Sequence, residues 1–138
     1  MFRKSATTEG RFGIYDADTF LEIIRYEKNR ADRDKLPVSV VVFDVPQRSG
    51  SRRLQRHLVD QLRTSVRLVD HIGWVETGDV GVLLPSTSRR GAQKFVDAFQ
   101  RRMPDVHSCI YSYNSEQTSE PTAESKRGLG ARFFAEAQ

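Results

Sequence analysis

Hydrophobic and polar positions along the chain alternate between helical and extended spacing. Asp16 or Asp18 can cap a first helix running to about Ala31, with Phe20, Ile23, Ile24 and Tyr26 as its partial apolar stripe. The run LPVSVVVFDVP that follows is nearly continuous in β-branched residues, bounded by Pro37 and Pro46. Such a run is the pattern of a central strand covered on both faces. After Ser51, a plausible cap, Leu54, Leu58, Leu62 and Val66 recur every four residues and predict a second helix. The segment VETGDVGVLLPST reads as a hairpin, with strands at about 71–77 and 79–85 around a tight turn. Ala92, Phe95, Val96, Phe99 and Met103 then fall at i, i+3, i+4, i+7 and i+11, and Pro104 ends that helix. HSCIYSYN is a last strand.

The order is one helix followed by β-α-β-β-α-β. It predicts an α+β fold with a ferredoxin-like, split βαβ core, an added N-terminal helix and an antiparallel-containing sheet with helices packed on it. The helices of that core are expected on one face of the sheet. Residues 1–12 read as a flexible N-terminus, 13–114 as the domain, and 115–138 as a polar, flexible tail in which Phe133 and Phe134 can dock locally.

Composition narrows the class. A chain of 138 residues is long enough for one core and too short for two. No apolar run approaches the roughly 20 residues of a spanning helix, so no membrane insertion is expected. The opening Met-Phe-Arg-Lys-Ser has no apolar stretch behind it and does not read as a signal peptide. The lone Cys109 excludes an internal disulfide and a cysteine-built metal site, and reads as a structural strand residue. Together these features favour the cytoplasm. The net charge of +4 is unevenly spread. From Arg48 to Arg67 there are six arginines and one acid, Asp60, and Arg89, Arg90, Lys94, Arg101 and Arg102 form a second group. Such a surface can attract nucleic acid, anionic lipid or a nucleotide. The plainer reading is two amphipathic helices with solvated arginine faces. No aromatic residues interleave as a base-stacking platform requires, so no nucleic-acid partner is assigned. His57 lies on the arginine-rich helix and His71 beside Asp70, and neither has a serine or cysteine nucleophile at a recognisable spacing.

Several motifs in register carry a resemblance. Gly13-Ile14-Tyr15-Asp16-Ala17-Asp18-Thr19-Phe20, Arg30-Ala31-Asp32-Arg33 with Leu36-Pro37-Val38-Ser39, Phe43-Asp44 at the end of the first strand, Arg67-Leu68-Val69-Asp70, and Val82-Leu83-Leu84-Pro85-Ser86-Thr87 follow one another in order. Over roughly residues 13–114 the chain resembles the GGDEF domain of the diguanylate cyclase family. Arg67 to Asp70 resembles the family's RxxD, with Asp70 six residues before Glu76, the usual spacing.

The departures from that pattern are equally informative. In this alignment Glu76, Thr77, Gly78, Asp79 and Val80 stand on the five signature positions. Condensing two nucleoside triphosphates needs carboxylates that hold two divalent metals and a tip open to the nucleotide. Asp44 keeps the acid at the end of the first strand, and Asp79 keeps a shorter acid at the fourth position. The third is Gly78, and Glu76 and Thr77 add bulk and charge where glycines belong. Glu76 lies only 32 positions after Asp44, a shorter distance than the resemblance implies. The missing segment is the one that would carry a second acid, a Phe-Lys pair and a guanine-reading Asn. Asp44, Glu76, Thr77, Gly78 and Asp79 are therefore vestigial positions, and no catalytic residue, metal or cofactor is assigned. In a plainer role Asp44 caps a strand end or pairs with an arginine.

The resemblance then implies a catalytically inactive, regulatory GGDEF-like domain. Arg67 and Asp70 are its candidate site for cyclic di-GMP, since an arginine can fork onto a guanine edge or phosphate and an aspartate can accept guanine N–H bonds. A structural role is the alternative: the arginine serving a helix end and the aspartate capping a turn. In that case the chain is an interaction or dimerisation module, acting on a protein partner or a second copy without a nucleotide. Arg63, Arg89 or Arg90 can add charge to a pocket at Arg67. Control of exopolysaccharide production is the context the resemblance suggests.

Overall fold

The computed structural model describes residues 10–45, 51–76, 78–114 and 133–134. Its first long helix, α1 (Ala17–Asp34), starts at Asp16, whose carboxylate accepts the Thr19 amide at 2.9 Å. It runs past Ala31, the predicted end, because the Ala31 carbonyl still accepts amides from Lys35 and Leu36. Lys35 closes it in a left-handed conformation (φ 60°) just before Pro37.

The β-branched run forms β1 (Val38–Phe43), buried at every position. The other strands are β2 (His71–Trp74), β3 (Val80–Pro85) and β4 (Ser108–Tyr113), with α2 (Ser51–Arg63) and α3 (Arg89–Arg102) between them. The sheet order is β2-β3-β1-β4, antiparallel throughout. This is the expected α+β core. The hairpin strands are shorter than predicted, and Ser51 is the first residue of α2 rather than its cap.

Strand alternation sorts the core into two layers. Val41 and Phe43 of β1 face Leu58, Val59 and Leu62 of α2 and Ala92, Val96 and Phe99 of α3. Val38, Val40 and Val42 face Phe20, Ile23, Ile24 and Ala31 of α1. The two helices of the βαββαβ core thus share one face, as expected. The N-terminal helix closes the other, which is why β1 reads as covered on both sides. Gly73 and Gly81 are paired across β2 and β3, and the ring of Phe20 lies on both.

Arg11 and Phe12, assigned by sequence to the flexible start, are held. The Trp74 indole N–H donates to the Arg11 carbonyl at 3.1 Å, Arg63 donates to the Phe12 carbonyl, and Arg11 donates to Gln55 at 3.1 Å. A buried indole needs an acceptor, and this strip of backbone supplies it. Residues 1–9, 115–132 and 135–138, the rest of the segments expected to be flexible, lie outside the described residues. Phe133 and Phe134 do dock, against Tyr111 and Tyr113. Among the described residues no helix is long and apolar enough to cross a membrane.

Candidate functional site

Arg67-Leu68-Val69-Asp70 folds as one tight turn between α2 and β2. The Asp70 amide donates to the Arg67 carbonyl at 3.1 Å, and the Arg67 amide donates to Asp70 Oδ2 at 2.7 Å. The guanidinium lies back along the same carboxylate, Nη2 to Oδ1 at 2.8 Å and Nε to both oxygens at 3.2 Å. Nη2 also reaches the Pro85 carbonyl at 3.1 Å and Thr87 Oγ1 at 3.0 Å, which ties the turn to the end of β3. The Asp70 side chain is 1% exposed and that of Arg67 53% exposed. Asp70 therefore orients Arg67, and its proximity holds the guanidinium more firmly protonated than usual. None of these bonds uses the second terminal nitrogen, Nη1.

That arginine stands at the lip of an open hollow of about 470 Å³, lined among others by Ser86, Thr87, Ser88, Gly91 and Lys94. Its size falls within the range of small-molecule sites, about 300–1,000 Å³. One wall is the amino end of α3, capped by Ser88, whose side chain accepts the Gly91 amide at 3.2 Å. A helix start favours anions, and Lys94 adds a full positive charge one turn on. Sequence reasoning counted Lys94 in a basic group without placing it at this site, and it missed the serines. The Ser86-Thr87-Ser88 run before a helix was the available signal, since it marks a cap and hence an exposed helix start. Arg63, Arg89 and Arg90 do not line the hollow: Arg63 serves the Phe12 carbonyl, and Arg89 donates to the Ile110 carbonyl at 3.2 Å.

The signature positions lie on the β2–β3 turn. Val75 donates to the Asp79 carbonyl and Gly78 to the Val75 carbonyl, both at 2.8 Å, with Gly78 at φ 94°. That φ suits glycine, which explains the one glycine the turn retains. Asp79 is 6% exposed, and its Oδ1 accepts the Val45 amide at 2.9 Å, fastening the hairpin to the chain just after β1. Asp44, next to Val45, donates its own amide to the His107 carbonyl at 2.9 Å and is half-buried. Glu76 is exposed, and Thr77 lies outside the described residues. The structure thus brings Asp44 and Asp79 to one end of the sheet. Among the described residues no group of three or more His, Cys, Asp or Glu side chains is placed to hold a metal ion.

Cys109 is partly buried on β4 against the α1 layer. His57 is exposed on α2. His71 is half-buried at the start of β2, 6.0 Å from the Tyr15 ring. Burial pushes its pKa below the ordinary value of 6.5, outweighing the nearby charges of Glu27 and Asp70, which push it up. The fold thus favours neutral imidazole. Below about pH 6.5 the unfolded chain takes up the proton first, so this contribution is complete above that pH and is lost as pH falls toward the lowered native pKa. Urea unfolding at pH 7.5 and 5.5 should show a larger stability loss in the wild type than in His71→Gln. Equal losses would remove His71 as the cause.

The sequence matches no protein-family model and no curated protein. The solved structures do contain this architecture. The GGDEF domain of FimX from Pseudomonas aeruginosa superimposes with a TM-score of 0.71, covering 83% of this chain and 85% of that one at 9% identity. The fold is that of a GGDEF domain. The GGDEF domain of DgcB from Caulobacter crescentus, solved in complex with c-di-GMP, gives 0.71 at 10% identity, covering 86% and 81%. PelD 156–455 from Pseudomonas aeruginosa, also in complex with c-di-GMP, gives 0.57 at 21% identity, covering 86% of this chain and 44% of that one. The likeness of this GGDEF-like chain to them is one of fold.

Proposed function

We propose that this chain is a GGDEF-like regulatory domain that acts by binding rather than catalysis, and that the hollow beside Arg67 receives cyclic di-GMP. The observation that carries the reading is a contrast between the two inherited places. The remaining signature acid, Asp79, is buried and bonded to a backbone amide, whereas Arg67 stays half-exposed over an open hollow. A two-metal reaction needs acids converging on an outer face, and Asp44 and Asp79 with Gly78 between the retained acids do not fit one. In the hollow, Nη1 of Arg67, Lys94 and the amino end of α3 offer positive charge to a phosphate or a guanine edge. Asp70 takes the role of orienting Arg67. Two of the fold neighbours are solved with c-di-GMP bound, which supports that choice of ligand.

A second reading is favoured by the closed Arg67–Asp70 pair itself. The aspartate already accepts all its bonds from Arg67, as a purely structural turn would have it, leaving a domain that works through a protein partner or a second copy. The catalytic half of the proposal is tested with GTP and Mg²⁺ or Mn²⁺. No cyclic dinucleotide should form, and turnover that is lost in Asp79→Asn would contradict the proposal.

A further inference from the structure

Charge is segregated between the two faces of the sheet. Helix α1 has five acids and four bases, and many of them pair: Lys28–Asp32, Arg30–Glu27, Arg30–Asp34 and Arg33–Asp34. On the opposite face α2 has four arginines and one aspartate, and α3 has four arginines, one lysine and one aspartate, a net of seven positive charges. Arg52, Arg53, Arg56 and Arg63 of α2, and Lys94 and Arg102 of α3, make no ion pair among the described residues. The helices are joined at one corner, where Arg102 Nη1 donates to Thr64 Oγ1 at 2.9 Å and to Ser65 Oγ at 2.8 Å.

The turn Arg67–Asp70 projects from that same corner. Its two central residues are both apolar: Leu68 is fully exposed and Val69 is 56% exposed. The ion pair that closes the turn holds the pair of side chains outward. An aliphatic tip beside a helical face whose cations make no ion pair among the described residues matches an anionic lipid surface, with cations on the headgroup phosphates and the tip in the acyl boundary. Nucleic acid offers the aliphatic tip little, and the face has no stacking aromatics. We propose that the α2–α3 face docks on anionic bilayers, with Leu68 and Val69 entering the interface. This is a peripheral contact that needs no spanning helix, and it stands whether or not the hollow takes a nucleotide.

Co-sedimentation with vesicles tests it, using phosphatidylcholine alone and phosphatidylcholine with a quarter phosphatidylglycerol. Binding is expected only to the anionic vesicles, weakening as salt rises. Lys94→Gln should lower the partition coefficient about fivefold, the effect of one basic residue at such a surface. Leu68→Ser with Val69→Ser should lower it by about tenfold or more, since it removes the apolar anchor from the interface. Tyr26→Ser, which alters an exposed apolar residue of α1 on the other face, should leave it unchanged. Both tip residues are at the surface, so the double variant keeps its fold, checked by its unfolding midpoint. Absence of binding to anionic vesicles, equal binding by the double variant, or capture of an oligonucleotide in place of vesicles would overturn the proposal.

Discussion

Replacing Gly73 with alanine should lower stability by about 3 kcal/mol, the upper end of what overpacking a close-packed core costs. A Cβ at Gly73 would lie 2.3 Å from Cγ, 2.4 Å from Cδ1 and 2.7 Å from Cβ of Phe20. The last of these decides the magnitude. A clash with the root of a side chain cannot be relieved by choosing another rotamer, so α1 or β2 must move. Gly81 offers a control on the same ring. A Cβ there meets the far edge, Cε2 at 2.7 Å and Cζ at 3.2 Å, which a small tilt of the ring relieves. Gly81→Ala should therefore cost less, about 1–2 kcal/mol. For a domain of this size the Gly73 variant should melt roughly 10–20 °C lower. Urea unfolding of both variants checks the ordering, and a Gly81 effect equal to or larger than that at Gly73 would contradict this account of the Phe20 seat.

The second large effect is expected at Asp70. Its buried carboxylate accepts from the Arg67 amide, Nε and Nη2, alongside the backbone bond from the Asp70 amide to the Arg67 carbonyl. Asp70→Ala leaves the amide without its side-chain acceptor and removes the carboxylate that orients the guanidinium, at a cost of about 2 kcal/mol. The exposed guanidinium recovers part of its loss from water, which keeps the figure below that of a fully buried pair. Asp70→Asn retains an oxygen for the amide and gives up the ion pair, so about 1 kcal/mol is expected. Thermal unfolding of the two variants should rank them in that order. Equal stability of Asp70→Ala and wild type would mean the turn is held by other contacts.

Much of this fold is legible in the residues, because periodicity is a direct image of burial. The five apolar positions from Ala92 to Met103 lie on the core side of α3 or just beyond its end, and the run Val38–Phe43 is buried throughout. What the residues could not convey is which layer each apolar side joins. The partial stripe of α1 gives no sign that Phe20 rests on two glycines from different strands, since that pairing spans more than fifty residues. The acids are a sharper case. Asp79 reads as a signature remnant, yet its carboxylate turns toward the Val45 amide, because a hairpin tip packed on the end of β1 has a backbone donor to satisfy. Arg67 and Asp70 are legible as a pair from their spacing. Their division of labour, one buried and one half-exposed, depends on Pro85 and Thr87, which chain order alone does not bring near.

The central claim is that a ligand meets Arg67 in the hollow. Calorimetric titration of cyclic di-GMP into the wild-type domain and into Arg67→Ala tests it most directly, with GTP and Mg²⁺ as control and Lys94→Gln as a second variant that leaves the turn intact. The account predicts saturable micromolar binding, weakened about tenfold to a hundredfold in Arg67→Ala by the loss of charge-assisted hydrogen bonds, weakened also in Lys94→Gln, and absent with GTP. A flat titration of the folded wild type would contradict it and leave the domain as a protein-interaction module, and binding of equal affinity in both variants would contradict the placing of the ligand at Arg67.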